Sequence, residues 1–339
     1  MRIIVTGATG AIGRATVPRL VAAGHDVVGL HHHDHGAAWL RSTGAEPVQV
    51  DLFDAAEVGD VLRGADAAIH LATSIPPLAK MTKARHWVMN DRLRSDATRI
   101  LADAAERVGV GQLIIGSITF NYVDRGDHWI SEDDAVAAVF MPTASALVAE
   151  RRVTGFAATG GLGVALRFGQ LYGPGSASAE LVQALHVRKV PLVGAGTNYV
   201  SSIHTDDAGA AVVAALAAPS GLYNVADDQP MRSGDRLELQ ATVVDAPPPR
   251  RISAGLAKLL VGRAVHQLTV SQRVLNRRFR DTTGWAPTYP SIRDGWPTVL
   301  HPEPLDRPSS AKPSALSNTA RSHQSPASPA DQHPLHPPS

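Results

Sequence analysis

Three glycines near the start of the chain, in Thr6-Gly7-Ala8-Thr9-Gly10-Ala11-Ile12-Gly13, carry the most specific chemical signal. Their spacing suits a diphosphate: the first permits a tight turn, the second lets backbone amides approach, and the third lets a following helix pack on the preceding strand. The N-terminus of such a helix adds unpaired N–H groups and the positive end of its dipole. Other residues with chemical potential are weaker signals. His31-His32-His33-Asp34-His35 holds four imidazoles in five positions, yet neighbours on an extended chain point to opposite faces, which argues against a shared metal ion. Ser117 follows Gly116, but the Gly-x-Ser-x-Gly pattern of a hydrolase nucleophile is absent, so acyl transfer is remote. The chain has no cysteine, which removes thiolate nucleophiles, disulfides and cysteine-ligated metals.

The elements that must position these residues alternate. Ile3-Ile4-Val5 reads as a strand, Ala15 to Ala23 as a helix and His25 to Leu30 as a strand again, a βαβ unit of ordinary size. Val48 to Val50 continues as a strand, Ala55 to Arg63 as a helix and Ala67 to Leu71 as a strand. A long helix over Asp91 to Val108 and a strand over Gln112 to Gly116 follow. Repeated alternation predicts an α/β fold: a Rossmann-type doubly wound parallel sheet covered on both faces, with a smaller C-terminal substrate-binding lobe. The sheet domain is expected to span 1–170 plus about 200–226, and the lobe 171–199 and 227–300. From His301 onward nine prolines and many serines leave almost no large apolar side chain. Such a segment cannot offset its ordering entropy and reads as a disordered tail over 301–339.

Composition narrows the partners. Thirty-two basic and 31 acidic residues give a net charge of +1, with no global field to attract nucleic acid or an anionic membrane. The N-terminal apolar run is too short for a secretory signal, and no stretch is long enough to span a bilayer. A cytoplasmic protein with a small-molecule substrate is the expectation, with no nucleic-acid or membrane partner.

The glycine motif, Asp51-Leu52-Phe53-Asp54 and His70-Leu71-Ala72-Thr73 together resemble the extended short-chain dehydrogenase/reductase superfamily, in its NAD-dependent epimerase/dehydratase branch. Leu166 to Gly175, Ser202 to Ala208 and Gly221 to Val225 match family segments in order, so the resemblance covers about residues 1–298. It implies cofactor contacts from Gly7, Ala8, Thr9, Gly10, Ala11, Ile12 and Gly13. It places Asp51 and Leu52 beside the adenine, and Leu71, Ala72 and Thr73 along the path to the nicotinamide ribose. It also implies a homodimer paired through the long helix and the helix around Glu150. In an NAD-preferring domain the second strand ends on an acidic residue, whereas here it runs into histidines. An imidazole gains charge beside a phosphate, so His31 or His32 is expected to hold the 2′-phosphate of NADP(H), which is favoured over NAD(H). Asp34 is the competing residue for NAD.

Family members use a tyrosine as proton carrier and a lysine four residues on, because a phenol of pKa about 10 needs a neighbouring cation near neutral pH. No Tyr-x-x-x-Lys occurs in this sequence. By resemblance Pro142 falls at the tyrosine, Ala146 at the lysine and Arg94 at the family's asparagine, while Ser117 keeps the serine. Two readings compete. In one, the protein remains an NAD(P)-dependent oxidoreductase or epimerase acting on a small carbonyl or hydroxyl metabolite or a nucleotide sugar. Ser117 and Tyr122 are then catalytic, and Thr119, Arg94 and Gln170 face the substrate, with Arg94 either binding an anionic substrate or standing as a solvated helix residue. In the other, it binds the dinucleotide without turnover, as a sensor or scaffold. Further along, Asp206 or Asp207 is expected to cap a helix over Ala208 to Ala218. Arg273, Arg277, Arg278 and Arg280 are expected on a basic helix that either clamps a diphosphate or is a solvated face.

Overall fold

A computed structural model describes residues 1–138 and 141–300, with the side chains of 141, 142 and 263 excepted; the tail expected from His301 lies outside the described residues. Its centre is a seven-stranded sheet of β1 (Arg2–Thr6), β2 (Asp26–His31), β3 (Glu46–Gln49), β4 (Ala67–His70), β5 (Gln112–Ile118), β6 (Leu162–Phe168) and β7 (Gly221–Val225). The spatial order is β7-β6-β5-β4-β1-β2-β3, with every pairing parallel. The order reverses between β1 and β4. In open α/β sheets that reversal leaves a crevice at the carboxyl ends of the strands, where ligands bind.

Alternate residues of each strand feed two cores. Ile3, Val5, Ile69, Ile114 and Leu166 pack on one side with Leu20 and Val212. Ile4, Ala68, Leu113 and Ile115 pack on the other with Leu62, Leu101 and Phe156. Burial on both faces is why these strands read as continuous apolar runs rather than alternating ones.

Helices α1 (Ala11–Ala22) and α2 (Asp34–Ser42) flank β2, and α3 (Ala55–Leu62) follows β3. The helix α2 goes unread in the sequence because the histidine run masks its start. Its buried Ala37 and Leu40 press so close to β2 that a Cβ on Gly29 would lie 2.4 Å from Leu40 Cδ2. The long helix is composite: α4 (Val88–Arg92), a π turn over Leu93–Ala97, and α5 (Thr98–Val108). It starts three residues earlier than its periodicity predicts. Beside it runs α6 (Met141–Ala158). From residue 170 the chain builds a separate core of Tyr172, Leu185, Leu192, Leu237 and Trp296. It draws on α7 (Ser178–His186) and α9 (Ser233–Val243), while α8 (Thr205–Ala214) packs on α1. No helix among the described residues is long and apolar enough to cross a membrane.

Candidate active site

The glycine loop joins β1 to α1 at the reversal point. Gly7 has φ +67°, and a Cβ there would lie 2.6 Å from Ala72 N, so only glycine lets the turn press against the end of β4. A Cβ on Gly13 would lie 2.2 Å from Gly7 O and 2.5 Å from Ala8 O, so this position seals helix to strand. Gly10 differs: it is exposed, and its Cβ would meet only Gly7 O, at 3.2 Å. It caps α1 without a side-chain hydrogen bond. Two glycines therefore serve the protein's own packing, and the third keeps an open side at a helix N-terminus. That arrangement fits a diphosphate.

The adenosine end of such a ligand would meet the carboxyl ends of β2 and β3. His31 closes β2, buried, with Nδ1 lacking a partner. His32, exposed, lines an open depression with His33, Asp34, His35 and Gln49. Arg14, which carried no sequence signal, also reaches this corner: its Nε donates to Thr9 O at 3.1 Å and its guanidinium stacks 4.5 Å from the Trp39 ring. The Asp51 carboxylate accepts from Phe53 N at 2.9 Å, a local turn bond that engages one oxygen. Leu52 is buried beneath it.

At the other end, Leu71, Ala72 and Thr73 run from part-buried to exposed along the edge of β4. The buried His70 ties three elements together. Thr6 Oγ1 lies 2.6 Å from Nδ1 and Leu93 O lies 3.1 Å from Nε2. Burial holds its pKa down at about 4, with Arg94 adding to the depression. A neutral ring donates from Nε2 to the carbonyl and accepts the threonine hydroxyl at Nδ1. Arg94, on the π turn, is only 7% exposed, not a solvated helix residue. Its Nη1 donates to Gly116 O at 3.2 Å. Thr119 is buried in a short turn after β5, and Gln170 is part-buried after β6.

Ser117 and Tyr122 are brought together, but inside the protein. Ser117 Oγ donates to Glu150 Oε1 at 2.5 Å. Arg167 holds the same carboxylate with Nε at 2.9 Å and Nη2 at 2.7 Å. Arg167 Nη1 donates to the Tyr122 hydroxyl at 2.8 Å, which donates in turn to Asn224 Oδ1 at 2.7 Å. Tyr122 is 1% exposed, and burial pushes its pKa up to about 12 against the pull of Arg167 and Asn224. Burial would lower Arg167, yet the hydrogen bonds and charge of Glu150 hold it above its usual value. A proton carrier must reach its substrate, and the Tyr122 hydroxyl faces a side chain at every bond it makes. The geometry thus corrects the expectation that Tyr122 acts over the sheet edge. Nothing in sequence spacing points to Arg167 or Asn224 as partners of Tyr122, or to Glu150 as the partner of Ser117.

The model of the NAD-dependent epimerase/dehydratase family matches residues 3–226. The chain belongs to that family. A relative 35% identical over 310 residues, covering 87% of this chain and 99% of its own, is the 3-diazoavenalumate denitrifying reductase of a Streptomyces species. Among solved structures, the dTDP-glucose 4,6-dehydratase of Streptomyces venezuelae with NAD bound is similar at TM-score 0.74 and 20% identity, over 89% of this chain and 96% of that one. A human epimerase family protein with NADPH is similar at 0.69 and 19%, over 89% and 99%. These two likenesses establish the Rossmann-type fold.

The second half of this epimerase/dehydratase-family chain corrects two details. The α8 cap is His204, whose Nδ1 accepts from Asp206 N at 3.2 Å. Asp207 instead pins a later segment, accepting from Thr288 N at 2.8 Å and Tyr289 N at 3.0 Å. The expected basic helix is shorter, Arg277–Thr283, and Arg273 lies outside it. Its arginines are spent on neighbours: Arg278 on Glu132 and Asp133, Arg280 on Asp228, Arg277 on Asp281. Such pairing leaves little for a diphosphate.

Proposed function

We propose that the chain is a nicotinamide-dependent reductase whose acceptor needs no proton from the enzyme. The observation that carries this reading is the closure of the Ser117 and Tyr122 hydroxyls within a buried network, beside a fully buried Ala146 at the place assigned to the family's lysine. Reduction of a carbonyl makes an alkoxide and calls for a placed acid. When bound, the reduced nicotinamide supplies a hydride; a carbon bearing a diazonium group takes it to form a C–H bond, while the C–N bond breaks and its electron pair leaves with dinitrogen. No proton enters that balance. The name of the Streptomyces relative, a denitrifying reductase acting on a diazo compound, supports this acceptor class.

The protein's share is binding and orientation. Gly7 to Gly13 receives the diphosphate, Asp51 and Leu52 flank the adenine, and Leu71 to Thr73 border the ribose next to the reacting ring. NADP(H) is the favoured cofactor, its 2′-phosphate taken by His32 with Arg14, whose guanidinium stacks on Trp39 of α2. Replacing Arg14 with alanine is expected to raise the Kd for NADPH about tenfold and leave NADH within about twofold, read by fluorescence titration. An equal change for both cofactors would remove Arg14 from the phosphate site.

The deciding experiment supplies purified protein with NADPH or NADH and three acceptor sets: diazotised aminobenzoates, simple carbonyl compounds and nucleotide sugars. Substrate-dependent nicotinamide oxidation, with deuterium from C4-labelled cofactor found at the former diazo carbon, is the expected result. Rates are corrected for the reaction without protein. Turnover of carbonyls or sugars alone would overturn the acceptor class. Tight cofactor binding with no turnover in any set would return the chain to a sensor role.

A further inference from the structure

Arg94 is a buried cation that the protein itself does not neutralise. No carboxylate among the described residues lies within ion-pair distance of it, and its hydrogen bond to Gly116 O leaves most of the guanidinium fork unused. The two acids whose charge acts on it are committed elsewhere. Glu150 is held by Arg167 and Ser117, and Asp91 Oδ1 accepts the Ser145 hydroxyl at 2.9 Å. Both acids favour the charged form, but burial outweighs them and pulls the Arg94 pKa down to about 10. The group stays ionised at neutral pH, and no ion pair among the described residues offsets its desolvation.

Its place is as telling as its charge. The π turn that carries Arg94 packs against α6, the helix of the buried Ala146. Single π turns inside helices often mark functional sites. The carbonyl that Arg94 engages belongs to Gly116, whose Cβ direction points between Leu71 Cδ2 at 3.6 Å and Phe168 Cε2 at 3.5 Å. Arg94 therefore stands at the carboxyl edge between β4 and β5, beside the residues that border the proposed ribose path.

We propose that Arg94 is the specificity-determining residue of this site and anchors a carboxylate on the substrate. The planar fork matches a carboxylate in a two-bond geometry that a lysine on α6 would not provide. One wing of the fork is fixed by Gly116 O, which sets the direction from which the acid must approach. This rests on the reading that the nicotinamide lies over the same edge, but not on any particular acceptor chemistry.

The test is by binding, so it does not depend on turnover. Protein loaded with NADPH is titrated with benzoate and 4-hydroxycinnamate and with their methyl esters, following the fluorescence of the bound cofactor. The wild-type protein is expected to prefer each acid over its ester by about tenfold or more. Arg94→Met erases the preference, and Arg94→Lys keeps part of it, since a point charge attracts the acid without the fork. The Kd for NADPH in both variants stays within about twofold, which certifies the fold. Should Arg94→Met fail to bind NADPH, the comparison rests on Arg94→Lys, where an undiminished preference would overturn the proposal. Equal binding of acid and ester by the wild-type protein, no binding of any acid, or full preference in Arg94→Met would each overturn it as well. An acid preference without turnover of any acceptor would refute the reductase reading and leave the anchor standing.

Discussion

Gly10 and Gly13 look alike in the sequence but answer to different constraints. A methyl group at 13 meets backbone on two sides, so Gly13→Ala is expected to cost about 3 kcal/mol of stability, seen as a lower midpoint in urea. At 10 the nearest atom is 3.2 Å away, so Gly10→Ala should fold normally yet bind NADPH at least about tenfold more weakly, because the methyl occupies the face left to the diphosphate. Equal loss of stability in both variants would mean that Gly10 too serves packing. Tyr122→Phe tests the opposite kind of residue. It strands Arg167 Nη1 and Asn224 Oδ1 in a buried network, which predicts a loss of about 1–3 kcal/mol in denaturant. Turnover per folded molecule should change little; a hundredfold fall in kcat at unchanged stability would restore Tyr122 as an acid.

Among the elements, α8 shows how one helix start can organise a distant segment. His204 caps its backbone, freeing Asp207 to hold Thr288 and Tyr289. Burial raises the Asp207 pKa, against the two backbone amides that favour its charged form. Asp207→Ala leaves those amides without their acceptor and is expected to cost about 2 kcal/mol. The loss should be local: limited proteolysis would cut first between 285 and 300 while the sheet stays protected. The composite helix beneath the active edge is a second case. Apolar periodicity reveals a long helix there, but a π turn changes the register by one residue and so decides where Arg94 is delivered. That register depends on what the helix packs against, here α6 and the carbonyl side of β5.

At the scale of the whole molecule, two buried histidines make the fold sensitive to acid. His70 ties the sheet to the π turn, and His204 ties α8 to Thr298 in the lobe. Burial lowers both to about 4. A histidine whose folded pKa lies below its unfolded value of about 6.5 stabilises the fold fully above that pH, and the contribution disappears as pH falls through the folded pKa. For His70 the loss approaches about 3 kcal/mol. The urea midpoint should therefore fall between pH 6.5 and pH 4, and His70→Asn should lower it at pH 7 while flattening the slope. An unchanged slope in that variant would mean that other groups drive the acid response.

The sequence by itself determined a parallel sheet covered on both faces and the glycine loop after its first strand. These follow from short-range facts: apolar runs buried on both faces, and glycines wherever backbone must approach backbone. It also singled out Ser117, Tyr122 and Arg94, without indicating which way each would face. That was decided by tertiary contacts between residues far apart in the chain. Glu150 and Arg167, 33 and 50 positions beyond Ser117 by number, turn two hydroxyls inward, and Gly116 O turns one guanidinium toward the edge. Spacing encodes the period of a helix or strand, whereas the satisfaction of a buried donor depends on whichever acceptor the fold brings within reach.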